Sequence, residues 1–230
     1  IKGKIMEKTL YLIRHCEADG NLNRIFHGNY DSDITENGKR QLEKLSRRFA
    51  DIHLDALYSS PLRRAVKTAE AVGSGKNLGI NICPGLIEIN GGSLENRPWK
   101  DFPLLSESEA YNWVHMPDKV KMPGGETMHE LYNRIWDAVL SIVNAEKGKV
   151  IAAVSHGCAI RAFLCRALGY EIDRLNDVGW CDNTAVSKIV FAGDGTCNVA
   201  YFNDASHLDS DLSTIEKQNW FRDSENYFNE

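Results

Sequence analysis

Short apolar runs alternate with amphipathic stretches along most of this chain. Residues 9–13 (TLYLI) and 150–154 (VIAAV) have the length and composition of buried strands. Strands that alternate with amphipathic helices in this way are typical of parallel α/β domains. A long helix is predicted to start at Gly124-Gly125-Glu126, with one apolar face made of Met128, Leu131, Tyr132, Ile135, Val139, Ile142 and Val143. The pattern therefore predicts a three-layer α/β/α sandwich around a mostly parallel, mixed sheet.

The same reasoning places further elements in the first half of the chain. Thr35 is a suitable N-cap for a helix, because its hydroxyl can accept a hydrogen bond from the first helical turn. The apolar stripe of that helix consists of Leu42, Leu45, Phe49 and Ile52. Residues 56–58 form a second short strand, and Ser60-Pro61 predicts a helix with serine as its cap and proline at its first position. Residues 80–89 are predicted to be extended.

Two later segments depart from the parallel pattern. Residues 91–123 are rich in glycine, proline and aromatic residues, which predicts a lid or loop excursion around one short helix near 106–114. Strands at 184–192 and 196–202 are joined by Gly193-Asp194-Gly195, a strong signal for an antiparallel hairpin. The tail after Leu208 is polar with scattered aromatic residues, and the pattern does not place it. Residues 1–230 are thus interpreted as a single domain with a lid at 91–123.

Composition excludes several classes of function. The 230 residues are 43% hydrophobic, enough for a substantial core, and the net charge of −5 argues against nucleic acid as a partner. No apolar run approaches the roughly 20 residues that span a membrane, and residues 1–8 do not resemble a signal peptide. The six cysteines form no C-x-x-C pair, so we expect no metal, no cofactor and no disulfides, and a cytoplasmic location. The oligomeric state stays open.

Three polar clusters follow predicted strands. Arg14-His15 follows the first strand, Ser60 to Arg64 follows the second, and Ser155-His156-Gly157 follows the strand at 150–154. Ligands of α/β sheets bind beyond the carboxyl ends of the strands, where helix N-termini favour anions. The clusters therefore predict one anion-binding site. Taken singly, these residues also have simpler interpretations, since Arg64 can belong to a solvated helix face. Outside the clusters, Glu88 in the predicted extended stretch can point to solvent by strand alternation.

The residues around these clusters resemble the signature of the histidine phosphatase superfamily, in its phosphoglycerate-mutase-like branch. The resemblance starts with the run L-I-R-H-C-E-A-D-G-N at 12–21 and spans residues 10–208 in order. Its later parts are Gly28, Thr35, Gly38, Gln41, S-S-P-L-R-R-A at 59–65, L-I-E at 86–88, P-G-G-E at 123–126, V-S-H-G at 154–157, N-T-A at 183–185 and S-H-L at 206–208. An isolated Arg-His dipeptide carries no information, but this ordered set is highly specific.

The resemblance implies a role for each matching residue. His15 would attack phosphorus and carry the phosphoryl group, and Glu88 would protonate the leaving oxygen and then activate water. The phosphate oxygens would be held by Arg14, Asn21, Arg64 and His156, while His27 and Gly28 would contribute to substrate binding. Arginine forks match phosphate oxygens, and with enough cationic donors phosphoryl transfer needs no metal. The implied substrate is a small phosphorylated metabolite.

Cys16 departs from the family pattern, which usually has glycine beside the nucleophile. A thiol near cationic groups can have a lowered pKa, so we consider reversible inhibition by peroxide. The simpler alternative is that Cys16 fills space as a small apolar residue.

Three alternative functions remain to be compared. A phosphoglycerate-mutase type of transfer is possible within the family, although the short interval between Glu88 and His156 favours a phosphatase. Ser155 lies in a sequence close to the G-x-S-x-G nucleophile elbow, which would make the protein a serine hydrolase with His207 as its only downstream histidine. A non-catalytic phosphate sensor would be expected to lack His15 or Glu88, and both are present.

Overall fold

A mixed six-stranded sheet forms the centre of the computed structural model, which describes residues 7–218 and 227–228. The strands are β1 (Lys8–Arg14), β2 (Ala56–Ser59), β3 (Ile80–Ile82), β4 (Val150–Ser155), β5 (Val186–Phe191) and β6 (Cys197–Asp204). Their order is β3-β2-β4-β1-β5-β6. The first four are parallel, β5 is antiparallel to β1, and β6 is antiparallel to β5. The predicted α/β/α fold, with its terminal hairpin, is confirmed.

Helices cover both faces of the sheet. They are α1 (Asp19–Asn23), α2 (Glu36–Phe49), α3 (Arg63–Val72), α4 (Phe102–Leu105), α5 (Glu107–His115), α6 (Met128–Ala145) and α7 (Gly157–Ala167). Alternation along β4 creates two cores: Ile151 and Ala153 pack with α6 and α7, whereas Ala152 and Val154 pack with α2 and α3. Short 3₁₀ turns occur at Pro84–Leu86, Gly92–Leu94, Trp99–Asp101, Pro117–Lys119, Ile172–Asp177 and Ser210–Leu212.

The helix starts follow capping chemistry, which corrects two predictions. Thr35 caps α2 as expected, accepting a hydrogen bond from the N–H of Gly38 at 2.9 Å. Helix α6 starts at Met128 and not at Gly124, because Thr127 and Glu130 form a capping box there. Helix α3 starts at Arg63, preceded by Leu62, which provides no side-chain cap. The predicted cap, Ser60, instead contacts a histidine after β4.

The prediction that 80–89 is extended holds only for its first three residues. Strand β3 ends at Ile82, and a 3₁₀ turn follows at Pro84–Leu86. Proline has no N–H to donate to a ladder, so the chain leaves the sheet there. Glu88 therefore lies on an irregular segment, and strand alternation does not decide its direction.

The segment at 91–123 packs into the main core. Its predicted helix is α5, and the shorter α4 was missed because a single turn has too little periodicity to be detected. Six of its apolar side chains belong to the same buried cluster as Leu10 and Leu12: Leu94, Phe102, Ala110, Trp113, Val120 and Met122.

The start of the tail is held by two buried carboxylates. The hydroxyl of Thr214 donates to Glu17 at 2.8 Å. The N–H of Thr214 donates to one oxygen of Asp182 at 3.1 Å, and the hydroxyl of Ser213 donates to the other. These polar anchors explain why hydrophobic patterning did not place the tail. The sequence interpretation of residues 1–6 falls outside the described residues. Within the described ranges, no helix is long and apolar enough to cross a membrane.

Candidate active site

The three polar clusters lie side by side because their strands are neighbours. In the parallel register, Arg14 at the end of β1 pairs with Ser155 at the end of β4, and Ser59 of β2 pairs with Val154. The N–H of His15 donates to the Ser155 carbonyl at 3.0 Å. Residues that follow these strands therefore emerge at one edge of the sheet, as the sequence predicted.

His15 is buried, and a backbone carbonyl of the next residue selects its tautomer. Its Nδ1 atom lies 2.6 Å from the carbonyl oxygen of Cys16. A carbonyl can only accept, so Nδ1 carries the proton and Nε2 keeps its lone pair. Burial, reinforced by the charges of Arg64 and other neighbours, holds the pKa of His15 well below its usual value. The imidazole is therefore neutral and its Nε2 is a competent nucleophile.

His156 lies beside the nucleophile, with the two ring centroids 5.0 Å apart. Its Nε2 lies 2.7 Å from the hydroxyl of Ser60, a group that can donate or accept. Burial holds the pKa of His156 well below its usual value, so the neutral form prevails. Its Nδ1 is buried without a protein partner among the described residues. In the tautomer in which the Ser60 hydroxyl donates to Nε2, Nδ1 carries the proton and can donate to an anion next to His15.

Arg14 and Arg64 bring positive charge to the same place. Arg64 is fully buried and donates to the carbonyl oxygens of Gly28, at 2.9 Å, and Tyr30, at 2.8 Å. Arg14 donates to the carbonyl oxygen of Cys181. The Nε atoms of both arginines are buried without a partner in the described part of the chain. Burial lowers the pKa of Arg64 to about 10, so it stays charged at neutral pH.

Glu88 also lines the cavity, and its carboxyl group lies at the N-terminus of α7. One carboxylate oxygen accepts from the N–H groups of Ile89, at 2.9 Å, and Ala159, at 3.0 Å. The other accepts from the N–H of Cys158 at 3.0 Å. Backbone donors at a helix N-terminus orient a carboxylate without neutralising it by a salt bridge. Glu88 and His15 line the same cavity.

The loop after β1 adds three polar elements to the cavity wall. The side-chain oxygen of Asn21 accepts from the Ala18 N–H at 3.1 Å, which leaves its NH₂ group for a ligand. His27 accepts the N–H of Gly20 at 2.7 Å, and burial lowers its pKa to about 3. Gly28 has φ +50°, a left-handed conformation that favours glycine, and this turn aims its carbonyl at Arg64.

The structure thus brings together all the residues that the sequence singled out for this site. Seven of them line one cavity: Arg14, His15, Asn21, His27, Gly28, Arg64 and Glu88. His156 lies next to His15 and is not itself among the residues that line the cavity. Of the aromatic side chains at 91–123, Trp99 and Trp113 line the cavity, whereas Phe102 is fully buried and the exposed Tyr111 contacts His115. Sequence reasoning missed Arg24, Cys158 and Trp180 on the wall, because no motif marks them.

Two sequence hypotheses are not supported by the geometry. Ser155 is fully buried and donates its hydroxyl to the Leu86 carbonyl at 2.7 Å, so it is not presented as a nucleophile. His207 contacts Thr184 and Arg48 instead of Ser155.

Burial raises the pKa of Cys16 to about 11, which contradicts a reactive thiolate. Residues 7–218 and 227–228 contain no group of three or more His, Cys, Asp or Glu that could hold a metal ion.

Comparison with known proteins identifies relatives of this arrangement. A family model described as histidine phosphatase superfamily (branch 1) matches residues 10–205. Phosphoserine phosphatase 1 of Hydrogenobacter thermophilus is 32% identical over 185 residues, covering 78% of this chain and 85% of the relative. Probable phosphoglycerate mutase GpmB of Yersinia pestis is 33% identical over 160 residues, covering 70% and 74%. The structure of Bacillus stearothermophilus YhfR superposes with a TM-score of 0.84 at 30% identity, covering 88% of this chain and all of that one.

Proposed function

The chain belongs to the histidine phosphatase superfamily (branch 1), and on that premise we propose that it hydrolyses small phosphate monoesters through a phosphohistidine on His15. One observation carries the proposal. The unprotonated Nε2 of a neutral, buried His15 lies among donors that have no partner in the described residues, namely Nε of Arg14, Nε of Arg64 and Nδ1 of His156. A nucleophile set among unpaired donors suits a tetrahedral anion such as a phosphoryl group.

In the first step, Nε2 of His15 forms a bond to phosphorus as the bond to the ester oxygen breaks. The step starts from the protonated form of Glu88, which gives its proton to that oxygen, so the alcohol leaves neutral and Glu88 becomes a carboxylate. The three non-bridging oxygens stay in contact with Arg14, Arg64 and His156, with the amide of Asn21 as a further donor. Because the transition state spreads negative charge over these oxygens, such fixed donors lower the barrier.

In the second step, water attacks phosphorus and the bond to His15 breaks. Glu88 takes the proton that water loses, and inorganic phosphate is released. Both His15 and Glu88 return to their starting protonation states. His27 and Gly28 act in this scheme through the loop they hold, since Gly28 orients Arg64 and His27 fixes the backbone at Gly20.

A phosphatase is favoured over a mutase. The phosphatase of Hydrogenobacter thermophilus matches a larger share of this chain than the mutase of Yersinia pestis does, 78% against 70%. Phosphoserine is the substrate named for the former, and a small phosphorylated metabolite of that kind is the substrate class we propose here. Hydrolysis requires no second phosphoryl acceptor besides water.

The domain organisation and the location form part of the proposal. We regard residues 1–230 as one catalytic domain in which the segment 91–123 is a lid, because its side chains share the core of the sheet and two of them line the cavity. A cytoplasmic location is supported by the cysteines, all six of which are free thiols.

The decisive experiment traps the intermediate. Brief incubation with a ³²P-labelled phosphate ester, followed by denaturation, should give an acid-labile, alkali-stable phosphoprotein. His15→Ala should abolish both the label and turnover, while the exposed His53→Ala should retain both. Turnover at the wild-type rate by His15→Ala would exclude the proposal.

A further inference from the structure

The chain around Glu88 leaves a 3₁₀ turn at Leu86 and forms no helix or strand after it, yet every backbone carbonyl of residues 85–88 accepts a hydrogen bond from a side chain. We infer that Arg134 of α6, braced by Glu126, is a positioning residue that places Glu88 for proton transfer. This inference rests on the proposed role of Glu88 as the acid. The Glu88 segment is defined here as residues 85–90.

Four consecutive carbonyl oxygens of this segment each accept a hydrogen bond from a side chain. Arg134 donates to three of them, those of Gly85 at 2.9 Å, Ile87 at 3.0 Å and Glu88 at 3.3 Å. The fourth, that of Leu86, accepts from the Ser155 hydroxyl at 2.7 Å. In a helix or a sheet, backbone N–H groups would satisfy such carbonyls. Here the guanidinium of Arg134 donates to three of the four carbonyls and so fixes the path of the chain.

Glu126 holds the guanidinium in place and also ties down the far end of the segment. Its two carboxylate oxygens accept from Nε of Arg134 at 2.8 Å and from Nη2 at 2.9 Å, a bidentate pair. One of them also accepts from the N–H of Asn90 at 3.2 Å, and the Glu126 N–H donates to the Asn90 carbonyl at 2.9 Å. Arg134 and Glu126 together therefore hold the backbone before Glu88, at residues 85 and 87, and after it, at residue 90.

The carboxylate itself is held by a different helix. Its oxygens accept from Cys158 and Ala159 at the start of α7, while its backbone is fixed from α6. Helices α6 and α7 pack against each other. A proton donor must approach the leaving oxygen to about 3 Å, and a misplacement of about 1 Å can reduce a rate roughly 100-fold. A loosened backbone at residues 85–88 would cause a displacement of this kind.

Arg134 acts through Glu88 and not on the substrate. It is not among the described residues that line the His15 cavity, and it borders a separate cleft with Asn90 and Glu126. Lysine cannot substitute, because an ammonium has no planar fork with which to hold a carboxylate and several carbonyls together. These contacts distinguish Arg134 from an arginine that merely adds a surface charge.

The experiment compares two substrates that share an aromatic ring but differ in their need for a proton. Nitrophenolate leaves 4-nitrophenyl phosphate without protonation, whereas benzyl phosphate releases an alkoxide that requires it. The value of kcat/KM for each is measured in wild type, Glu88→Gln, Arg134→Gln, Arg134→Lys and the double variant Glu88→Gln/Arg134→Gln. Arg48→Gln is the matched control, since Arg48 pairs with Asp204 at 2.6 Å and bonds its carbonyl, on another part of the fold.

We expect Glu88→Gln to lower kcat/KM for benzyl phosphate by at least about 100-fold, with less than about a 5-fold loss for 4-nitrophenyl phosphate. Arg134→Gln should show the same selectivity in weaker form, with a loss of about 10-fold for benzyl phosphate and of less than about 3-fold for 4-nitrophenyl phosphate. Arg134→Lys should not restore the activity on benzyl phosphate. In the double variant, the substitution at 134 should add no further selective loss. Arg48→Gln should change both substrates equally.

Each other outcome overturns a specific statement. Equal losses for both substrates in Arg134→Gln, or a selective loss that adds to that of Glu88→Gln, would show that Arg134 does not act through Glu88. Absence of selectivity in Glu88→Gln itself would instead refute the proposed acid. If Arg134→Gln does not fold, Glu126→Gln provides the same test, because it loosens the guanidinium without removing it. A selective loss there supports the inference, and equal losses overturn it.

Discussion

The Nδ1 atom of His15 lies 2.6 Å from the backbone carbonyl oxygen of Cys16, the next residue in the chain. This contact decides which ring nitrogen carries the proton, because a carbonyl oxygen cannot donate. It also fixes the ring plane, so that Nε2 faces the cavity that Arg14, Arg64 and Glu88 line.

The phosphoryl group should therefore be attached to Nε2 and not to Nδ1 of His15. The two isomers of phosphohistidine give different ³¹P chemical shifts in alkaline solution. We expect the phosphoprotein trapped during turnover to give only the Nε2 signal. A dominant Nδ1 signal would mean that the ring turns over before attack, contrary to the contact with Cys16.

Two adjacent arginines provide a matched test of the phosphate site. Arg64 is fully buried beside His15, whereas Arg63 is exposed and paired with Asp31 at 3.1 Å. Arg64→Ala should lower kcat/KM on the order of 100-fold for good and poor leaving groups alike, because it removes a donor to the transferred group. Arg63→Ala should change kcat/KM less than about 3-fold. Similar losses in both variants would contradict the assignment.

Cys16 should be unreactive in the folded enzyme. Its side chain is fully buried, and burial raises the pKa of its thiol to about 11, so the thiolate is scarce at neutral pH. In native labelling with iodoacetamide followed by mass spectrometry, the half-buried Cys83 and Cys197 should react before Cys16. Wild type and Cys16→Ala should also lose activity in dilute peroxide at the same rate. Protection by the substitution would revive the redox hypothesis.

Acid should destabilise the fold through its buried histidines. Burial lowers the pKa of His27 to about 3, while the unfolded chain takes up the proton near pH 6.5. Between these two values the unfolded state binds more protons, so the stability that His27 contributes is present at pH 7 and falls as the pH falls below 6.5. At pH 5 the loss from one such group is about 2 kcal/mol.

Urea unfolding at pH 7 and pH 5 in phosphate-free buffer measures this effect. In His27→Gln, whose amide oxygen can still accept from Gly20, the difference between the two free energies of unfolding should shrink by about 2 kcal/mol. His129→Gln, at an exposed position in α6, should keep the wild-type difference. An unchanged difference in His27→Gln would show that its pKa is not lowered.

Much of the active site was predictable because local pattern and chain order encode it. Alternating strands and helices identified the parallel sheet, and strand ends in such a sheet meet at one edge. Arg14, His15 and His156 follow strands directly, so their convergence needed no coordinates. The family resemblance, which the match over residues 10–205 confirms, added Glu88 to the same set.

Tertiary contacts decided what local pattern could not express. Ser60 follows the rule for a helix cap, but it bonds His156 from a neighbouring strand, and the helix starts three residues later. Glu88 follows no strand, and its place depends on Arg134, which is 46 positions away in the sequence. The pKa values of His15 and Cys16 depend on burial among residues from several elements.

The sequence by itself determined the fold, the family and the motif residues that meet at the cavity, because periodicity and motif order are properties of the chain. Only the tertiary structure determined which nitrogen of His15 is free, which donors stay unpaired, and how Glu88 is held. Hydrogen-bond partners and desolvation depend on groups that are close in space but distant in sequence. The position of a residue in the sequence therefore says little about its hydrogen-bond partners or its desolvation.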